Sequence, residues 1–262
     1  MPSRTRWSPE LILEILARLE RGERRRTVAA ETGVPSATIR NWQRGRVPER
    51  ARRTAAGARW CARCGHEEHD FSTLPGEPFA YLLGIYLGDG CLYEHSRGTW
   101  VLRVTLDSAY PWIVISVADA IEDVRGRRPS VARHKRERCV TITSYWTPWA
   151  CAFPQHGPGR KHERRIELTN WQQGIVRAQP EAFLRGLIHS DGWRGLNRVK
   201  VKGRWYAYPR YQFSNRSDDI RTLFTDTCDM LGVQWRPWGP YHVSVARREA
   251  VAQLDAFIGP KC

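Results

Sequence analysis

The chain contains one short apolar motif twice, and this repeat restricts the fold more than any other feature of the sequence. The first copy reads YLLGIYLGDG (residues 81–90) and the second reads FLRGLIHSDG (residues 183–192). Asp89 and Asp191 are 102 residues apart, and a Gly-Pro pair recurs with the same spacing at 157–158 and 259–260. Because the residues between these points need gaps to align, the pattern indicates a duplicated architecture rather than a close sequence repeat.

The small residues of the two copies predict that the motif helices pack against each other. Gly84 and Gly88 are four residues apart and share one helix face, and Gly186 and Ser190 do the same in the second copy. Small side chains at this spacing allow two helix backbones to approach closely. The large apolar residues around these positions predict that the helix pair lies in the core.

Each motif ends in Asp-Gly, where an acidic side chain is unfavourable. The glycine suits the left-handed residue that follows a helix, but Asp89 and Asp191 lie at helix C-termini that are already negative. If the helices pack in parallel, the two carboxylates come together, and such a cluster favours a bound cation. Carboxylate and backbone carbonyl oxygens favour Mg²⁺. The alternative is that both Asp-Gly pairs are simple turns, and the second copy favours the metal site over that alternative.

These motifs resemble the two motifs of single-chain LAGLIDADG homing endonucleases. LLGIYLGDG (82–90) matches the first motif and LRGLIHSDG (184–192) matches the second, so the resemblance covers about residues 79–262. Members of that family cut both DNA strands, and a saddle of β-strands lies in the major groove. The last acid of each motif binds metal in the family, which assigns this role to Asp89 and Asp191. The motifs are loosely kept, since Gly88 and Ser190 replace Ala and His189 replaces an acid.

The resemblance implies an α+β fold with two α-β-β-α-β-β-α units, at about 79–165 and 180–262, related by a pseudo-twofold axis. Alternating patterns agree with this order, predicting a strand at 99–108 and hairpins at 129–144 and 196–217. Helical patterns cover 110–124, 218–231 and 248–258. The strands and hairpins carry basic residues that we expect to contact DNA: Arg103, Lys135, Lys200, Lys202, Arg204 and Arg210.

The family often places a lysine near the scissile phosphate, and lysine is rare in this chain. The sequence has five lysines, and unlike arginine a lysine can have its pKa lowered. Lys161 and Lys261 occupy similar places in the two repeats and are the expected catalytic lysines. Lys200 and Lys202 are the alternative pair, and surface charge is the other interpretation of each lysine.

Residues 1–46 predict a small all-α helix-turn-helix domain. Ser8 is the predicted cap of a helix that runs to about Arg21, and the segment TVAAETGVPSATIRNWQRGR has a turn glycine between two short helices, about 27–32 and 36–44. The alternative is a helical bundle with a solvated arginine face. In the helix-turn-helix interpretation, the last helix buries Ile39 and Trp42 and presents the following residues to DNA: Thr38, Arg40, Asn41 and Arg44.

A basic stretch is predicted to link the two domains, over residues 47–78, and it includes the segment CARCGHEEH (61–69). Cys61, Cys64, His66 and His69 are of the residue types that bind Zn²⁺, and the two cysteines have the spacing of a zinc knuckle. A reduced turn without metal is the alternative, because the separation of Cys64 from His66 is short for a zinc site.

Charge and composition narrow the functional class. The net charge is +15, with a pI near 10, which favours a polyanionic partner. The absence of a long apolar run predicts no membrane segment, and the odd number of seven cysteines suits a reduced cytoplasmic protein. We therefore expect a monomer that binds double-stranded DNA and cleaves it with Mg²⁺. The alternative is a DNA-binding transcriptional regulator that does not cut.

Overall fold

The chain divides into two units, Met1–His69 and Asp70–Cys262. The core of the first unit is formed mainly by side chains on helices. The computed structural model describes residues 7–64, 67–96, 98–134 and 137–259. The helices of the first unit are, in order, α1 (Pro9–Glu20), α2 (Arg25–Thr32), α3 (Ser36–Gln43) and α4 (Glu49–Ala55).

The predicted signals at the helix ends are confirmed in this unit. The Ser8 hydroxyl accepts a hydrogen bond from the backbone N–H of Leu11 at 3.2 Å and so caps α1. Gly33 ends α2 with a φ of +67°, a conformation that favours glycine, and its N–H donates to the carbonyl of Ala29 at 3.1 Å. Ile39 and Trp42 on α3 are buried as predicted.

The prediction of a linker over residues 47–78 is wrong for residues 49–55. These residues form α4, which packs on α1 through the fully buried side chain of Ala51. Because the other positions of this short helix are mostly charged, its sequence pattern is that of a solvated connector. A single alanine at the contact carries too little periodic signal to predict a helix.

The second unit contains the predicted duplication. The first repeat consists of α5 (Gly76–Gly88), β1 (Gly90–Glu94), β2 (Trp100–Asp107), α6 (Pro111–Arg125), β3 (Ser130–Arg133), β4 (Cys139–Tyr145), α7 (Trp149–Ala152) and α8 (Asn170–Ala178). The second repeat consists of α9 (Pro180–Asp191), β5 (Gly192–Val201), β6 (Arg204–Ser214), α10 (Asp218–Met230), β7 (Arg236–Pro237), β8 (His242–Val245) and α11 (Arg248–Ile258).

The two repeats share one sheet topology. Their antiparallel sheets have the strand orders β1-β2-β4-β3 and β5-β6-β8-β7, in which corresponding strands take corresponding places. The predicted α+β fold with two α-β-β-α-β-β-α units is therefore confirmed. No helix in the described part of the chain is long and apolar enough to span a membrane.

The second sheet carries a hairpin that extends beyond its four-stranded part. β6 pairs with β8 only from Tyr211 to Ser214, whereas its pairing with β5 continues to Val201 opposite Arg204. Tyr211 and Phe213 face the core. Because side chains alternate along a strand, Arg204, Arg210 and the other even-numbered residues of β6 lie on the opposite face.

The motif helices α5 and α9 touch backbone to backbone, as the small residues predicted. A Cβ added at Gly84 would lie 2.5 Å from the carbonyl oxygen of Phe183 and 2.7 Å from the amide nitrogen of Leu187. A Cβ added at Gly186 would collide with the carbonyl oxygen of Tyr81. The close approach therefore depends on glycine in both helices.

Substituting Gly84 tests this contact. Gly84→Ala should lower the free energy of unfolding by about 1–3 kcal/mol, because backbone atoms and not a flexible side chain must move. The matched control is Gly174→Ala, since Gly174 is an exposed helical glycine with open space around its Cα. That control should raise stability by about 0.5–1 kcal/mol through helix propensity. Denaturant unfolding measures both, and equal stability of the two variants would contradict the close crossing.

Candidate active site and nucleic-acid interface

The acidic residues of both motifs lie at the same end of the α5–α9 helix pair. Asp89 caps the C-terminus of α5, and Asp191 is the last residue of α9. A Cβ added at Gly88, the neighbour of Asp89, would lie 3.0 Å from Oδ2 of Asp191. The Ser190 hydroxyl donates back to the carbonyls of Gly186 and Leu187, at 3.1 and 3.0 Å. The Asp191 carboxylate therefore lies against the last turn of α5.

Lys161 is held at this helix end. Its Nζ donates hydrogen bonds to the carbonyl oxygens of Gly88 at 2.7 Å, Leu87 at 3.1 Å and Tyr86 at 2.5 Å. The ammonium also lies 5.1 Å from the centre of the Tyr86 ring. Helix C-termini leave such carbonyls without partners inside the helix. Lys161 therefore satisfies the negative end of α5 directly beside the acid pair.

The pKa of Lys161 reports on its surroundings. Burial lowers this pKa to about 8, and the carboxylates of Asp191 and Asp89 oppose the change by stabilising the ammonium. Both acids therefore act on one lysine, as expected if the three side chains form one site. The described residues thus place Lys161 with the acid pair, as the sequence predicted. Lys261 lies outside the described residues.

Titration of Lys161 tests this arrangement. In the metal-free protein one lysine should titrate near pH 8, well below its ordinary value of 10.5. Asp191→Asn should lower that pKa further, because the substitution removes a charge that stabilises the ammonium. Lysine side-chain NMR resolves this in a chain with five lysines, and Lys161→Arg assigns the signal by removing it. A Lys161 pKa near 10.5 would separate this residue from the acids.

Asn215 also contacts the acid pair, and the sequence analysis missed it. Its Nδ2 donates to Oδ2 of Asp191 at 2.6 Å. The residue itself is fixed, because its Oδ1 accepts from the N–H of Ser217 at 2.8 Å and its carbonyl accepts from Arg221 at 2.6 Å. The segment Asn-Arg-Ser before α10 indicates a turn, but no local pattern indicates a contact with a residue 24 positions earlier. Asn215 is thus a positioning residue for Asp191.

His189, which replaces an acid of the family motif, has a structural environment. It is buried, with Nδ1 3.0 Å from the Tyr81 hydroxyl and Nε2 2.9 Å from the carbonyl of Ile258. Because a carbonyl accepts only, Nε2 carries the proton and Nδ1 accepts from Tyr81. Burial raises the pKa of Tyr81, which keeps the phenol protonated as a donor. The histidine therefore joins α5, α9 and α11 instead of serving as a ligand.

The strand registers place the basic residues predicted to contact DNA on two different faces of the sheets. Arg103, on β2, lies on the face opposite the core and donates to the Tyr93 hydroxyl at 3.1 Å. Arg204 and Arg210 lie on the corresponding face of the second sheet. Lys200 pairs with Trp205 and lies on the other face of the hairpin, with its Nζ 5.9 Å from that indole ring. Lys135 lies outside the described residues.

The alternative catalytic lysines do not fit the site. Lys200 is nine residues from Asp191 along the extended strand β5, which corresponds to roughly 30 Å. Lys202 lies in the hairpin turn, with a φ of +48°. Both lysines are therefore far from the acid pair, whereas Lys161 lies beside it.

A basic cleft lies on the same face of the second sheet as Arg210. The cleft has a volume of about 870 Å³, and its lining includes Arg236, Arg247, Trp235 and Trp238. The Arg210 guanidinium lies 5.2 Å from the Trp238 ring centre and donates to the Ser244 hydroxyl at 3.2 Å. Its buried Nε has no hydrogen-bond partner among the described residues. A buried donor without an acceptor is costly, so this cleft suits an anionic ligand.

The first unit presents a second basic surface. On α3, Arg40, Asn41 and Arg44 are exposed and Thr38 is half-exposed, on the side away from the buried Ile39 and Trp42. This is the orientation predicted for a recognition helix. In the same unit the chain brings Cys61, Cys64 and His69 together, with Cys64 Sγ 3.0 Å from His69 Nε2. His66 lies outside the described residues.

Comparisons with known proteins found one family model and several solved structures similar to this chain. A helix-turn-helix family model described as Transposase matches residues 1–56. The solved structures to which the chain is similar include LAGLIDADG homing endonucleases. They include I-SmaMI bound to cleaved DNA, at 11% identity and a TM-score of 0.45, over 70% of this chain and 83% of that chain. I-DmoI in complex with DNA and Ca has 16% identity and a TM-score of 0.47, over 71% of this chain and 91% of that chain.

A third structure, the LAGLIDADG meganuclease I-AabMI bound to uncleaved DNA, has 11% identity and a TM-score of 0.45, over 69% of this chain and 82% of that chain. The duplicated fold that the two motifs predicted is established by the sheet topology of the chain itself. No curated protein matches the chain. Identities of 11–16% do not assign a function to this chain.

Proposed function

We propose that this protein is an endonuclease that binds double-stranded DNA and hydrolyses its phosphodiester bonds at the Asp89–Asp191 pair, with Mg²⁺ as cofactor. One observation carries the proposal. Two carboxylates from equivalent positions of a duplicated fold lie at the same end of the α5–α9 pair. Lys161, whose pKa is lowered, lies near both carboxylates and donates hydrogen bonds to carbonyls of α5. Perturbed pKa values and convergent charges of this kind mark functional sites.

The residues present fit a hard divalent cation. Asp89 and Asp191 provide carboxylate oxygens, and the helix ends provide backbone carbonyls, which are the donors that Mg²⁺ prefers. Among the described residues, the two carboxylates and two negative helix ends outweigh the ammonium of Lys161. When bound, Mg²⁺ would stabilise charge on the reacting phosphate and lower the pKa of a coordinated water.

The side chains of the protein supply the remaining functions. Asn215 holds Oδ2 of Asp191 and so orients that carboxylate. Lys161, with a pKa of about 8, is present near neutral pH as ammonium and as amine, so its Nζ can hold or release a proton at this site. As ammonium, Lys161 also stabilises negative charge that develops on a phosphate nearby.

The basic surfaces support DNA as the substrate. The chain carries a net charge of +15, and Arg103, Arg204 and Arg210 lie on the sheet faces opposite the core. Arginines on an exposed sheet suit the positioning of a phosphate backbone. The exposed α3 residues of the first unit provide polar groups that suit base edges, and a second DNA contact there would add to affinity and specificity.

Substitution of the acids tests catalysis separately from binding. Asp89→Asn and Asp191→Asn should each abolish cutting of at least one strand, because a metal ligand is lost. DNA affinity measured with chelator should stay the same or rise, because a negative charge near phosphate is removed. Asp226→Asn, at an exposed position of α10, is the matched control and should cut normally. Cleavage that survives both active-site substitutions would place the site elsewhere.

The regulator is the second candidate, because residues 1–56 match a helix-turn-helix family model and the motifs are loosely kept. The same assay decides between the two functions. A wild-type protein that binds a selected duplex tightly, yet leaves it intact with Mg²⁺ and with Mn²⁺, would be a DNA-binding regulator. Selection from a randomised DNA library, followed by sequencing of bound and cut ends, provides that duplex.

Arg210 tests the sheet surface. Arg210→Ala should weaken duplex binding by about 1.5–3 kcal/mol, through loss of a charged hydrogen bond, and should lower the slope of log affinity against log salt by about one. Arg198→Ala is the matched control, because Arg198 is exposed on the other face of the same hairpin. Salt-dependent binding titrations measure both variants. Equal losses in both would show that total charge, and not this face, binds DNA.

A further inference from the structure

A cluster of metal-ligand side chains in the first unit is separate in chemistry from the acid pair. The ligand atoms of Cys61, Cys64 and His69 lie within 4.8 Å of one another. All three side chains are partly buried. Ligands about 2.0–2.3 Å from a tetrahedral Zn²⁺ are themselves a few ångströms apart, so this spacing is compatible with one shared ion.

The backbone of this segment brings the three side chains together. Trp60 and Glu67 form an antiparallel bridge, and the N–H of Glu68 donates to the carbonyl of Arg59 at 2.9 Å. The chain therefore reverses between these residues. The two cysteines follow the first arm of the reversal and His69 follows the second arm, as in a zinc knuckle. The Cys-x-x-Cys spacing predicted this turn, and the bridge shows how a later histidine returns to it.

Little apolar packing holds this segment in place. The described core of the first unit includes no residue after Ala51. The described contacts of the segment include polar ones: Arg53 pairs with Glu67 at 2.6 Å, and the Trp60 indole donates to Thr54 at 2.6 Å. Exposed ion pairs contribute little, and an isolated two-stranded turn is only marginally stable. A bound metal would supply the missing stabilisation, because its binding energy becomes folding energy.

We propose that Cys61, Cys64 and His69 bind a structural Zn²⁺ ion. Thiolate sulfur and imidazole nitrogen favour zinc over magnesium or calcium, which prefer oxygen. The ion fastens the segment between α4 and the end of the first unit. Structural zinc sites have four ligands, so the test below also identifies the fourth.

Metal content tests the proposal on the full chain, purified without chelator. Wild type should contain about one zinc per chain. Cys61→Ser, Cys64→Ser and His69→Ala should each reduce bound zinc at least threefold. Cys139→Ser, in β4, and His134→Ala, directly after β3, are matched controls and should keep it. Single serine substitutions of the other cysteines, and His66→Ala, identify the fourth ligand as the one further variant that loses zinc.

Two further measurements keep the test decisive if a variant misfolds. Cobalt exchanged into wild type should give thiolate-to-cobalt charge-transfer absorption, and removal of zinc should open a protease-sensitive site within residues 56–69. The proposal is overturned by wild type without zinc, by wild-type zinc in Cys61→Ser and Cys64→Ser, or by a Cys61–Cys64 disulfide in the native protein. None of these readouts depends on DNA cleavage, so the proposed endonuclease function can fail independently.

Discussion

The backbone contact between Gly84 and Gly186 is the constraint on which the second unit depends. With no Cβ on either residue, α5 and α9 approach until backbone atoms touch. That approach brings the C-terminal turns of both helices together, which places the Asp191 carboxylate against Gly88. A larger residue at either glycine would separate the helix ends as well as loosen the core. The close packing of α5 on α9 and the position of the acid pair therefore have the same physical cause, which is the absence of a Cβ at both glycines.

The same approach creates an electrostatic problem at the paired helix ends. Two helix C-termini and two carboxylates meet, and each repels the others. At the end of α5, the ammonium of Lys161 donates to three carbonyls. At the end of α9, the neutral amide of Asn215 donates a hydrogen bond to the Asp191 carboxylate. Although the repeats share one topology, the described parts of their active-site halves are chemically unequal.

The two proposed metal sites lie in different units and use different ligand atoms. Oxygen ligands at Asp89 and Asp191 suit a hard ion that takes part in a reaction, whereas the sulfur and nitrogen ligands near residues 61–69 suit zinc as a structural element. The proposed zinc site stabilises a segment that has almost no apolar core. The acid pair is instead supported by a large core, whose rigidity fixes the charged groups in place. The proposed zinc ion would thus stabilise its own segment, whereas the apolar core holds the acid pair in place.

The sequence by itself determined the duplication, the glycine-mediated helix pair, the acid pair and the recognition-helix orientation. These features depend on periodicity and on residue size, which are local properties of the chain. Only the tertiary structure showed that Lys161 lies beside the acids and Lys200 does not, because the two lysines differ in their positions in the fold. It also decided that Asn215 contacts Asp191, that His189 is bonded inside the core, and that residues 49–55 pack as a helix. Contacts between distant segments depend on how whole elements pack, and no local pattern encodes that packing.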